Sequence, residues 1–209
     1  GKSGEEIINL AKPKFLQEEK DKKLTGAEKG TLMHLCMQYL DISKEYDYAG
    51  IENFIEDLVA KNIITEKEKQ AIYLQTLYTY TKSEIWQELK QAKLIEREKP
   101  FYIMLPAKEI YELEKEKNTI NQNNNDKILV QGIIDLYYIN KDNELILLDY
   151  KTDYVNNENE LVDKYKVQLE IYKRALEKSL NRKVDKVYIY SLYLQKVLPI
   201  SNFSDILNE

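Results

Sequence analysis

Apolar residues recur at helical spacing through the first ninety positions and at strand spacing afterwards. Thr25-Gly26-Ala27-Glu28 reads as a capping box, in which Thr25 and Glu28 satisfy free backbone N–H groups, and it predicts a helix over about 27–41. Helical stretches follow at about 51–61, 66–80 and 83–92. A second capping box, Thr65 with Glu68, opens the stretch at 66. Leu58, Ile72, Leu77 and Trp86 sit on the apolar faces.

The period then changes. Positions 94–105 read as a strand, with Pro100 favouring an edge or a bulge. Pro106 to Asp126 is charged and ends in an Asn-rich run, which reads as a loop. Strands follow at 128–139 and 144–151, joined by the turn composition Asn140-Lys141-Asp142-Asn143. An amphipathic helix over about 159–180 precedes a strand over 186–194. A helix between two strands allows a parallel crossover. The expected fold is therefore α/β, a mixed central sheet flanked by helices, with a helical region at 24–92 and an α/β core at 93–200 in one domain. The stretch up to Lys23 reads as an irregular arm anchored by Pro13, Phe15 and Leu16.

Composition narrows the classes. Cys36 is the only cysteine, which excludes an intramolecular disulfide and any four-cysteine zinc or iron–sulfur site. No apolar run is long enough to span a membrane, and no secretory signal pattern opens the chain, so a cytoplasmic location is expected. Gly1-Lys2-Ser3-Gly4 lacks the phosphate-loop signature and reads as a cut end. The net charge of -5 weighs against a broadly basic nucleic-acid surface, although Lys164, Lys166, Lys173 and Arg174 form a local basic stretch. The seventeen tyrosines accompany abundant Ile, Lys and Asn, all with A- and T-rich codons, and by number alone indicate no base-stacking surface.

The residues that carry chemistry are Gly132-Ile133-Ile134-Asp135 and Leu147-Leu148-Asp149-Tyr150-Lys151. Asp149 and Lys151, two apart on a strand, point to the same side of the sheet, and Asp135 lies on the hairpin partner. If register and bulging allow, two carboxylates and one ammonium meet in a small volume. Carboxylate oxygens suit hard cations such as magnesium or manganese, and such a cation orients water and polarises a phosphodiester. Lys151 then either binds the attacking water or stabilises developing negative charge. An Asp and a Lys two apart are ordinarily just a polar face. Here they end the apolar run Leu145-Ile146-Leu147-Leu148, which suggests a strand buried on both faces. As a partly exposed pair, Lys151 and Asp149 would contribute about 0–1 kcal/mol to stability.

These motifs resemble the PD-(D/E)xK nuclease superfamily, and the accompanying ones resemble its RecB-like branch. Gly30-Thr31-Leu32-Met33-His34 resembles the Gly-x-x-x-His helix, Glu98 with Pro100-Phe101 resembles the Arg-Glu-x-Pro-Phe strand, and Gln168-Leu169-Glu170-Ile171-Tyr172 matches the Gln-x-x-x-Tyr helix. The stretch from Leu24 to Asp41 looks specifically like the C-terminal nuclease domains of the AddA subunits of bacterial AddAB helicase–nucleases.

The resemblance implies a restriction-endonuclease-like fold and metal-dependent exonuclease activity. Its expected substrate is DNA, single-stranded and processed from an end. It implies a metal, Mg2+ or Mn2+, held by His34, Asp135, Asp149 and the backbone carbonyl of Tyr150, with Asp135, Asp149 and Lys151 as the catalytic centre. It also implies an ATP-driven motor elsewhere in a longer chain, an AddB-type partner subunit, and a role in recombinational repair of double-strand breaks. Gln168 and Tyr172 contact DNA or organise Lys151. Glu98 either supports the metal through water or faces solvent, and Asp153 either supports the site or caps a turn. A free-standing RecB-like exonuclease and a catalytically silent DNA-binding or docking domain stand as alternatives. Gly30 would let its helix approach the sheet closely.

Overall fold

The computed structural model describes residues 7–9, 23–113 and 126–201. The arm anchors Pro13, Phe15 and Leu16 and the Asn-rich run lie outside the described residues. The helical region comprises α1 (Gly26–Tyr39), α2 (Tyr48–Ala60), α3 (Glu66–Lys69), α4 (Leu74–Thr81) and α5 (Glu84–Lys90). Both capping boxes are formed: Glu28 N donates to Thr25 Oγ1 at 3.2 Å, and Glu68 N donates to Thr65 Oγ1 at 3.1 Å. The single helix expected over 66–80 is instead two, broken between Lys69 and Leu74. On one straight helix Ile72 and Leu77 would sit about 140° apart. The break lets both enter the core.

A six-stranded mixed sheet follows. It is built from β1 (Ile7–Asn9), β2 (Leu94–Pro106), β3 (Lys127–Ile139), β4 (Leu145–Lys151), β5 (Lys186–Ser191) and β6 (Lys196–Pro199). β2 pairs antiparallel with β3 along its whole length, from Leu94 opposite Ile139 to Pro106 opposite Lys127. β1 and β4 therefore share the other edge of β3, β1 beside Leu129–Gln131 and β4 beside Leu136–Ile139. β4 and β5 are parallel, joined through α7 (Glu158–Leu180) as the crossover rule requires. Asn140 closes the β3–β4 turn by accepting from Asp142 N and Glu144 N at 3.0 and 2.9 Å.

Three elements have no clear signal in the sequence. β1 and β6 are only three and four residues long. α6 (Ala107–Leu113) begins the segment expected to be a loop, and it buries Ala107, Ile110 and Leu113 at a spacing of three. Among the described residues no helix is long and apolar enough to cross a membrane.

The sheet separates two cores. Leu136, Tyr138, Ile146, Leu148 and Tyr150 pack against the N-terminal helices. Leu145, Leu147, Val187 and Ile189 pack with Leu169 and Tyr172 of α7 on the opposite side. Every residue of β4 is buried, as its apolar run implied.

Candidate active site

β3 changes edge partner at Asp135. Leu136 opposes Leu148 in the β3–β4 ladder, so one further step of that register sets Asp135 across from Asp149. On the other edge Arg97 opposes Leu136 and Lys99 opposes Ile134, which leaves Glu98 across from Asp135. Glu98, Asp135 and Asp149 thus form one row across three strands. The pleat reverses at this row. Ile128, Val130, Ile134 and Tyr137 of β3 face the α7 side, whereas Leu136 and Tyr138 face the helical side, so the parity of the α7-facing positions switches around Asp135. β2 switches in step, with Ile95 on the helical side and Phe101, Ile103 and Leu105 on the other. Glu98 absorbs the reversal at φ 51°, a left-handed conformation that costs a non-glycine residue about 1–2 kcal/mol. Its neighbour Arg97 fixes the bend by donating to Leu40 O at 2.6 Å and Gln38 O at 2.8 Å, at the C-terminal end of α1.

Asp135 is 2% exposed and Asp149 1%. Asp135 Oδ2 accepts from Tyr150 N at 2.8 Å, so the side chain serves a backbone donor where the ladder parts. Its Oδ1 lies 3.7 Å from His34 Nδ1. His34 reaches the sheet because α1 approaches at Gly30, where an added Cβ would stand 2.6 Å from Thr152 Oγ1. The Tyr150 ring fills the space between His34 and Tyr80, and its hydroxyl meets the Tyr80 hydroxyl at 2.6 Å. Burial pushes the Tyr150 hydroxyl up to about 12, the Tyr80 hydrogen bond and Arg97 offsetting part of it, so it stays protonated at neutral pH.

On the α7 side Lys151 Nζ lies 2.8 Å from Asp149 Oδ2 and donates to Gln168 Oε1 at 2.9 Å. It also sits over the Tyr165 ring, 3.9 Å from its centre. The Tyr165 hydroxyl donates to Asp153, at 2.8 Å to Oδ2, and Lys164 meets the same oxygen at 2.6 Å. Partial burial opposes ionisation of Asp153, but Lys164, the Tyr165 hydroxyl and Lys151 outweigh it and hold the carboxyl below its ordinary range. Tyr172 is buried edge-on to Phe101, with ring centres 5.1 Å apart. Burial, then the charges of Asp149 and Glu98, push its hydroxyl well up.

A family model described as the PD-(D/E)XK nuclease superfamily matches residues 7–200. The chain belongs to that superfamily. Curated relatives named as the A subunits of ATP-dependent helicase/nucleases include those of Clostridium kluyveri, 39% identical over 94% of this chain, and Clostridium novyi, 41% identical over 91%. Another is that of a Thermoanaerobacter species, 39% identical over 90% of this chain. The chain spans about 15% of the length of these relatives.

In this member of the PD-(D/E)XK superfamily, the two aspartates and the lysine expected from the sequence lie where the fold concentrates charge. The structure brings together Asp135 with His34 and Tyr150, and Asp149 with Lys151 and Gln168. Glu98 shares their row, and its charge is felt at Tyr150 and Tyr172. Among the described residues no three His, Cys, Asp or Glu side chains close on one point as they stand. The donor set nevertheless fits a hard divalent cation. Two buried carboxylates beside a single lysine ammonium put acidic oxygens in a low-dielectric volume, with the His34 ring at its edge.

Three details differ from expectation. The Lys151–Asp149 pair is buried, with side chains 9% and 1% exposed, because α7 lies over it. The basic stretch of α7 is largely neutralised: Lys164 pairs with Asp153, Lys166 with Asp163, and Arg174 with Glu170 and Glu109, while Lys173 is buried. Tyr165 joins the site without belonging to any of the motifs, although its spacing to Gln168 and Tyr172, three and seven residues, marks one helix face.

Proposed function

We propose that this chain is the nuclease module of a longer helicase–nuclease and hydrolyses phosphodiester bonds of DNA with a divalent cation, Mg2+ or Mn2+. The substrate is single-stranded DNA taken from an end by an ATP-driven motor in the parent chain. The setting is cytoplasmic repair of double-strand breaks through recombination, together with an AddB-type partner. The observation that carries this reading is the row of acids meeting His34 on one side and Lys151 on the other.

His34, Asp135, Asp149 and the Tyr150 carbonyl would hold the cation. When bound, it supplies Lewis acidity toward the phosphodiester and a more acidic water. Asp149 and Gln168 orient the Lys151 ammonium toward that volume, and the Tyr165 ring covers it, which fixes its position. An ammonium held this way stabilises charge developing on a phosphate oxygen without reorganising at the moment of reaction. Asp135 keeps Tyr150 and its strand in register with the site.

The test is manganese titration by calorimetry, alongside degradation of end-labelled single strands with magnesium or with a chelator. Asp149→Ala should lose both metal binding and cleavage. Equal manganese affinity in Asp149→Ala and wild type would overturn the metal assignment, and undiminished cleavage under chelation would overturn the metal-dependent mechanism.

A further inference from the structure

Beyond Lys151 the chain enters a cleft of about 550 Å³ that the nuclease chemistry does not use. Thr152 and Asp153 line it. Lys29 of α1, Tyr73 just before α4, Tyr154 and Tyr193 line it as well. Tyr154 is 77% exposed, Tyr193 50% and Tyr73 49%, and the Tyr154 and Tyr193 rings lie 4.6 Å apart at a 51° tilt. Three exposed tyrosines around one cleft leave apolar ring faces in water, whereas most other tyrosines of this chain are buried or half-buried.

We propose that this cleft is a base-stacking subsite for single-stranded DNA, gripping the nucleotides next to the one whose phosphodiester lies at Lys151. The proposal rests on the nuclease reading above and adds a place for the strand. Continuity with the site selects this occupant. Tyr154 is three residues past Lys151, so its backbone lies within about 11 Å of it. A polynucleotide held at Lys151 must continue away from the reacting bond, and the next three residues along the chain, Thr152, Asp153 and Tyr154, all line the cleft. Stacking on aromatic faces tolerates any base. Lys29 supplies a cation for the phosphates, and the one carboxylate in the wall, Asp153, is already matched by Lys164. This positional support is what a count of seventeen tyrosines cannot give.

The experiment uses the intact protein that contains this chain. An oligothymidylate carrying 5-iodouracil is irradiated with the protein under chelation, and the adducts are mapped by mass spectrometry. Adducts are expected on Tyr154 or Tyr193. The double variant Tyr154→Ala/Tyr193→Ala should lose them and raise KM for single-stranded DNA roughly tenfold or more, the scale of one lost stacked base. Tyr154→Phe/Tyr193→Phe should keep both the adducts and KM, because the ring faces remain. An abasic strand should weaken wild type more than the double alanine variant. Both tyrosines are exposed, so folding is not at stake. Adducts mapping only elsewhere, or an unchanged KM in the double alanine variant of a protein that cleaves DNA, overturns the proposal. A wild type that forms the adducts yet never cleaves DNA overturns the nuclease reading and leaves the subsite standing.

Discussion

Gly30→Ala is the sharpest probe of how the helical region is seated on the sheet. The added Cβ would lie 2.6 Å from Thr152 Oγ1, about 0.8 Å inside ordinary contact, and 3.7 Å from Thr152 Cβ, which is already comfortable. Forcing a methyl into such a contact costs about 1–3 kcal/mol. Replacing glycine by alanine inside a helix returns about 0.5–1 kcal/mol. The net loss is therefore about 0–2.5 kcal/mol, and the net alone is a poor test. The coupling is a good one. Thr152→Ala removes the offending oxygen, so the double variant Gly30→Ala/Thr152→Ala should keep the helix gain without the clash. At about 2–4 °C per kcal/mol for a chain of this size, the double variant should melt several degrees above the Gly30→Ala single. Thermal unfolding of the four proteins gives the coupling energy. Cleavage should follow it, because α1 carries His34 and Thr152 adjoins Lys151. Strictly additive melting temperatures would refute the idea that Gly30 exists for this approach.

Lys151→Ala should slow cleavage by roughly 10²–10³-fold, the usual cost of removing one stabiliser of developing charge. Because the pair is buried, the change should also destabilise the metal-free protein by about 3–5 kcal/mol, and manganese should recover part of the melting temperature by answering the charge of Asp149. Cleavage within threefold of wild type would remove Lys151 from the mechanism. Gln168→Ala should leave manganese affinity intact in calorimetry yet impair cleavage, since it releases the Lys151 ammonium on one side. Tyr172→Phe should do the same with little loss of packing, and unchanged single-strand cleavage in both variants would return these residues to a structural role.

Much of this architecture is legible from local pattern. The two capping boxes act through residues three apart, so the sequence displays them whole. β4 announces its double burial by lacking polar alternation, and its charged end then stands out. What escapes is whatever depends on the covering layer. Asp149 and Lys151 look partly exposed along their own strand, and only α7 laid across them makes the pair buried. The same layer places Tyr165 over Lys151, a contact between residues fourteen apart that no local spacing encodes. α6 disappears into a charged segment because its three buried positions are few, and β1 and β6 are too short to show alternation.

The left-handed Glu98 is the least legible feature and the most informative. Arg97-Glu98-Lys99 reads as a polar stretch, with no Gly or Asn to mark a left-handed turn. The requirement arises from two cores. β3 must present even-numbered positions to the α7 side before Asp135 and odd-numbered ones after it, and β2 must follow. A strand that switches faces breaks its ladder at the switch, and a broken ladder leaves backbone donors to satisfy. Asp135 answers one of them through Tyr150 N. The site acids therefore gather where the sheet itself needs a buried acceptor. A carboxylate placed there for backbone reasons already faces His34 and stands across from Asp149. The strain at Glu98 is then part of what brings this acidic row together, since an unkinked β2–β3 pair would carry one fixed alternation past Asp135.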